Sequence, residues 1–242
     1  MTLRKIRRSL RTRISTIPAL YLPLMRRGPK GDRVFTPDTE LVIEGYPRSG
    51  NSFSEAAFLH AQGRPVAIGH HTHAAGHVIG AARAGIPCLV VIRSPVEAAR
   101  SLVQMEPGLF DAGFALWEYC MFYRALIPVR PKIVLARFET VTTDFGTVIE
   151  ALNARFGTGF APFEHTPENE AAAFALLDAT SKARDSSRQA AEAYSPHAPV
   201  DRRAQREEEK RRFARLFEDP GLAGRIAAAE RLHATLTADA DA

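Results

Sequence analysis

Cysteine is scarce in this chain: Cys88 and Cys120 are the only two in 242 residues. Two thiols cannot build the disulfide framework of a small secreted scaffold, and neither suggests a metal site. Both fall in segments that read as buried strand or helix, which points to small core residues in a reducing, cytoplasmic setting. Long apolar runs are missing too. The run Ile17–Met25 is broken by Pro18 and Pro23, lacks a small-residue cleavage site and is too short to cross a bilayer, so we expect neither a signal peptide nor a span. No internal repeat is present, which sets solenoids and propellers aside. At 45% hydrophobic and 24% charged residues the composition is that of a globular domain with a sizeable core. Acid is nearly absent from the first 33 residues, where ten Lys and Arg side chains stand against Asp32 alone. The whole chain nets only +5, so the remainder is net negative. Residues 1–38 therefore read as a basic arm, either a solvated or loosely docked tail or an interfacial segment touching anionic membrane or polymer. Without interleaved aromatics the run gives no support for a specific nucleic-acid partner. Residues 39–242 read as one α/β domain.

What is present is concentrated in Leu41–Phe53. A short apolar strand, Leu41–Ile43, hands over through Gly45-Tyr-Pro-Arg-Ser-Gly50 to a helix expected over Asn51–Gln62. A glycine-bounded loop entering a helix gathers backbone N–H groups at the positive end of the helix dipole, which is an anion site. The frame Gly45-x-x-x-x-Gly50-Asn51-Ser52 has the Walker A spacing with asparagine in place of lysine. The cation lies inside the loop instead, at Arg48, and Arg48 and Ser49 could still reach an oxygen bridging two phosphorus- or sulfur-centred groups. A second segment, Cys88–Leu102, is a strand closing on Arg93, then a turn proline and a helix start carrying Ser101.

Tyr46-Pro-Arg-Ser-Gly-Asn-Ser-Phe53 resembles the Tyr/Phe-Pro-Lys-Ser-Gly-Thr-Thr-Trp loop that binds the 5′-phosphosulfate of 3′-phosphoadenosine 5′-phosphosulfate (PAPS) in sulfotransferases. Arg93 and Ser101 have the spacing of the pair that holds the 3′-phosphate in that family, and Arg137-Phe-Glu139 is similar to its Arg-Tyr-Glu segment. The resemblance covers roughly residues 40–160. It implies a P-loop-type three-layer α/β sandwich with a central, mostly parallel sheet flanked by helices. It also implies sulfuryl transfer from PAPS to a hydroxyl or amine of a glycan, lipid-linked sugar or small-molecule acceptor, releasing PAP and requiring no metal. Arg48, Ser49, Gly50, Asn51, Ser52 and Phe53 would hold the nucleotide's 5′ end, and Arg93 and Ser101 its 3′-phosphate. The chain departs from the family at Arg48, where lysine is usual, and at Phe53, where tryptophan is usual. It also lacks the C-terminal Arg-Lys-Gly-x-x-Gly loop, leaving Arg188 or Arg202 as substitutes.

Between the two motifs the chain carries Gly69-His-His-Thr-His73 and His77. A histidine at the C-terminal end of a strand suits a general base, since its ordinary pKa lies near neutrality. The family's Thr-His match favours His73, spacing to Arg93 favours His71, and both stay open. His73 and His77, one helical turn apart, are a weaker metal pair. Further elements are expected as a strand Pro65–Ile68, helices over Ala74–Ala84 and Ala112–Leu126, a strand Lys132–Arg137 and a helix Asp144–Phe156. Helical stretches follow near 171–182, 200–217 and 222–236, with 185–200 as a loop over the site. Two rival readings remain: a kinase-like phosphotransferase using Mg-ATP, and a degenerate nucleotide-binding module.

Overall fold

The computed structural model describes residues 3–106, 108–184, 208–209 and 211–240. At its centre four short strands lie parallel in the order β2-β1-β3-β4: β1 Leu41–Gly45, β2 Ile68–His70, β3 Cys88–Ile92 and β4 Val134–Arg137. Ile43 pairs with Leu89 and Leu89 with Val134, while Leu41 pairs with Ile68 at the edge. Every residue of β1 and β3 is buried, as expected of central parallel strands covered on both faces. Alternation along the strands divides the core. Val42, Val90, Ile92 and Leu135 face α2 (Pro18–Arg26), α4 (Ala75–Arg83), α5 (Pro95–Met105), α6 (Ala112–Leu126) and the last helix, Ala223–Thr237. Leu41, Ile43, Leu89 and Val91 face α3 (Asn51–Gln62), α7 (Phe138–Thr143), α8 (Phe145–Phe156) and α9 (Pro167–Arg184). The result is a three-layer α/β sandwich whose sheet is wholly parallel among the described strands.

Helix limits follow local chemistry. Asp111 caps α6 by accepting from Phe114 N, Asp144 caps α8 by accepting from Thr147 N, and Pro95 opens α5. One expectation is corrected. The edge strand begins at Ile68 rather than Pro65, because proline has no N–H to give a ladder and the register with Leu41–Ile43 draws in Gly69 and His70. The segment between the expected strand Lys132–Arg137 and the expected helix Asp144–Phe156 folds as α7, a six-residue helix directly on the strand's end.

The basic arm is not a loose tail. Within it α1 (Leu3–Ile14) and α2 lie on the body. Arg8 pairs with the buried Glu118 of α6 (Nε–Oε1 2.8 Å), Lys5 reaches Asp111, and Gly76 N donates to Ser15 O. Tyr21, Leu22, Val34 and Phe35 belong to the same core cluster as the sheet. The prolines that seemed to break the arm are accommodated: Pro18 occupies the first turn of α2, where its missing N–H has no helical partner to lose.

The order β2-β1-β3-β4 reverses direction between β1 and β3. In open parallel sheets the crevice beyond the carboxyl ends of strands at such a reversal is where ligands bind. The β1–α3 loop and Arg93 both leave the sheet there.

Candidate functional site

Two glycines shape the β1–α3 loop. A side chain at Gly45 would run into Val91 O at 2.5 Å, and Gly50, at φ +97°, adopts a conformation L side chains rarely take, with the Phe138 ring 3.0 Å from where a Cβ would sit. Arg48 sits at φ 69°, and His71 and His73 at 52° and 50°; these are the positive-φ non-glycine residues among those described, and all three are at this site. Strain of that kind persists where surrounding structure holds it. Here Asn51 Nδ2 donates to the Gly45 and Tyr46 carbonyls, and Tyr123 on α6 donates to Val91 O while its hydroxyl meets Ser49 Oγ and Tyr46 N.

That bracing assigns roles the residue types alone did not. Ser49 is fully buried with its hydroxyl against Tyr123, and its N–H closes the turn onto Tyr46 O, so the expected reach of its side chain toward a ligand is corrected. Asn51 laces the loop rather than standing in for a phosphate-facing lysine. Ser101 accepts from Arg48 Nε at 2.8 Å, so its hydroxyl supports Arg48. Arg93 donates to Arg48 O, lies over the Phe138 ring at 4.2 Å and is 3.7 Å from Glu97. Burial lowers its pKa, but a guanidinium stays charged. Phe53 is packed among Phe163, Phe174 and His165. Glu139 is an exposed residue in the first turn of α7, where an acid is ordinarily favourable.

The histidines separate into three environments. His77 is fully buried: Phe35 N donates to its Nε2, so its proton is on Nδ1 and is donated to Glu44 Oε1 at 3.0 Å. Glu44, also fully buried, further accepts from Thr72 N, Thr72 Oγ1 and His73 N. Burial by itself would raise the Glu44 pKa; the His77 contact, with help from His73 and Thr72, overrides it and holds the value at about 2. His73 donates from Nδ1 to Gly45 O at 3.0 Å, which fixes the tautomer with the lone pair on Nε2. Burial brings its pKa down to about 4. His71 contacts Ser52 Oγ through Nε2 at 2.8 Å and Glu55 Oε2 through Nδ1 at 3.1 Å, and His70 Nδ1 is 2.9 Å from His71 Nδ1. His73 and His77 thus point to different partners and do not form the metal pair their spacing suggested.

Two cavities meet at this point. One, of about 270 Å³, is lined by the loop, Phe53, Arg93, Phe138 and Phe174. The other, of about 420 Å³, is lined by Arg8, Arg11 and Lys30 of the N-terminal segment together with Tyr46, Glu118 and Phe122. Pro47, His71, His73 and Met105 line both. The expected 185–200 loop, and Arg188 and Arg202 with it, lie outside the described residues.

Sequence reasoning missed Glu44, Glu55 and the wall built by Arg8. The one available signal was a glutamate inside the apolar strand Leu41–Gly45, a charge that a covered parallel strand carries only when donors converge on it. Among the described residues, no helix is long and apolar enough to cross a membrane. No family model, curated protein or solved structure matches the chain.

Proposed function

We propose that the chain is a PAPS-dependent sulfotransferase of P-loop type. The observation that carries this is the pair of cavities sharing Pro47, His71, His73 and Met105: a group-transfer enzyme needs two substrates to meet across one small set of side chains. PAPS supplies the activated sulfuryl group. On the loop side, the first-turn amides of α3 have no helical acceptors and, with Arg48, suit the 5′-phosphosulfate. Arg93, flat against Phe138, offers its fork to the 3′-phosphate. Phe53 and Phe174 give the base an apolar floor. Arginine cannot donate a proton at working pH, so Arg48 acts by charge alone.

The acceptor occupies the larger cavity. His73 takes the proton of its hydroxyl or amine at Nε2, the nitrogen left as acceptor by the Nδ1–Gly45 bond. Both ring nitrogens of His71 already have partners, which makes it the weaker base. Arg8, Arg11 and Lys30 on the cavity wall favour an anionic glycan, lipid-linked sugar or small molecule. The same N-terminal helices expose Leu3, Leu10, Leu20 and Leu24 between their cations, which suits peripheral contact with anionic lipid. Full-length protein should therefore sediment with vesicles containing anionic lipid and be released by salt; salt-independent or absent binding overturns that contact.

PAP without metal should stabilise the fold by about 2.7 kcal/mol when present at about a hundred times its dissociation constant. Stabilisation by Mg-ATP alone would replace this reading with a kinase-like one, and silence with both ligands would leave a degenerate binding module.

A further inference from the structure

Behind the loop, three donor atoms from two elements converge. Glu55 Oε2 on α3 is 3.1 Å from His71 Nδ1 and 3.5 Å from His70 Nδ1, and the two Nδ1 atoms are 2.9 Å apart. One ligand atom from each of the three residues lies within 4.8 Å of the other two. We propose that Glu55, His70 and His71 form a binding site for one zinc-class divalent cation, a role independent of the PAPS reading.

Proton counting supports it. Two Nδ1 atoms 2.9 Å apart have room for one hydrogen between them, since two N–H groups facing each other would repel. A carboxylate oxygen and at least one ring lone pair therefore face the same small space. A cation accepts all three lone pairs at once. The dimensions are close: a tetrahedral ion with ligands about 2.0–2.2 Å away holds them roughly 3.3–3.6 Å apart, and the observed separations are 2.9, 3.1 and 3.5 Å, so binding needs the two rings to part by a few tenths of an ångström.

The surroundings match as well. Ligating histidines ordinarily donate their other ring N–H to an oxygen, and His71 Nε2 lies 2.8 Å from Ser52 Oγ. His71 is held at φ 52°, a strained conformation that turns its ring toward Glu55. The side chains are only 8, 13 and 15% exposed for Glu55, His70 and His71, enough to shield an ion while leaving a route from the cavities that His71 lines. Two imidazoles and one carboxylate select zinc, cobalt or another late first-row ion over magnesium or calcium. Three protein ligands leave one further coordination position. A bound ion would pin α3 to the end of β2 and occupy His71 Nδ1, leaving His73 as the base.

The test uses untagged, full-length protein, chelator-treated and dialysed, and then offered zinc or cobalt alone. One zinc per chain should bind with a dissociation constant of about 1 µM or tighter and raise the melting temperature. Cobalt should give the intense visible absorption of a tetrahedral centre. His70→Gln and Glu55→Gln should each weaken zinc binding about 100-fold or more and abolish the cobalt spectrum, whereas His60→Gln should change neither. If Glu55→Gln fails to fold, His70→Gln and the cobalt spectrum decide the matter. Zinc affinity unchanged in His70→Gln, or the lack of any stoichiometric binding to the parent chain, would overturn the site.

Discussion

Two glutamate–histidine clusters flank the β1–α3 loop, and they are built to opposite ends. Around Glu44 the donors are complete: two from Thr72, the His73 N–H and His77 Nδ1, with His77 Nε2 in turn accepting from Phe35 N. Both ionisable side chains are fully buried. Around Glu55 the ring nitrogens crowd one oxygen and stay within reach of solvent. The same two residue types thus serve as scaffold in the fully buried cluster and, in our proposal, as a cation site in the other. The first cluster positions the second: Glu44 grips the backbone of Thr72 and His73 and so fixes the strained segment that displays His71.

The largest loss is expected at Glu44. Glu44→Ala strands four donors in a dry interior and should cost about 4 kcal/mol in urea unfolding, while Glu55→Gln in metal-free protein should cost about 1 kcal/mol. Similar losses at the two positions would erase the distinction.

Acid titration sharpens it. The folded pKa of His73, about 4, lies below its ordinary 6.5, so as pH falls the unfolded chain takes up the proton first. The stabilisation is complete above pH 6.5 and drains away toward pH 4, by about 2 kcal/mol for this part-exposed ring. Glu44, depressed from 4.5 to about 2, then gives up its own contribution below pH 4.5. His73→Gln should remove the upper limb of the stability–pH curve and leave the lower one. An unchanged curve would mean that His73 is not held neutral by burial.

Much of this arrangement was readable in the residues. The loop Gly45–Gly50, the helix Asn51–Gln62, the strand from Cys88 and the aromatic helix Ala112–Leu126 all carry local signals: glycines at a tight turn, near-continuous apolar runs and helical spacing. The histidine segment was recognised as chemically active, but its division of labour was not. Which nitrogen carries a proton depends on Gly45 O and Phe35 N, groups 28 and 42 residues distant from the rings they bind. Glu44 was missed because its donors, Thr72, His73 and His77, lie 28 to 33 residues away. Ser101 and Ser49 were assigned by motif spacing, yet spacing does not say which way a hydroxyl turns: Ser49 meets Tyr123, and Ser101 accepts from Arg48. The arm misled through its prolines and charge. The packing of Tyr21 and Leu22 and the burial of Glu118 against Arg8 are long-range facts no local pattern carries.

Binding of a 3′-phosphorylated nucleotide by Arg93 and the β1–α3 loop underlies the proposed sulfuryl transfer. It is tested most directly by calorimetric titration of PAP into chelator-treated parent and Arg93→Ala proteins. Metal-independent 1:1 binding to the parent is expected, with affinity lower by about 100-fold, close to 2.7 kcal/mol, in the variant. Equal affinity in the two proteins would contradict it.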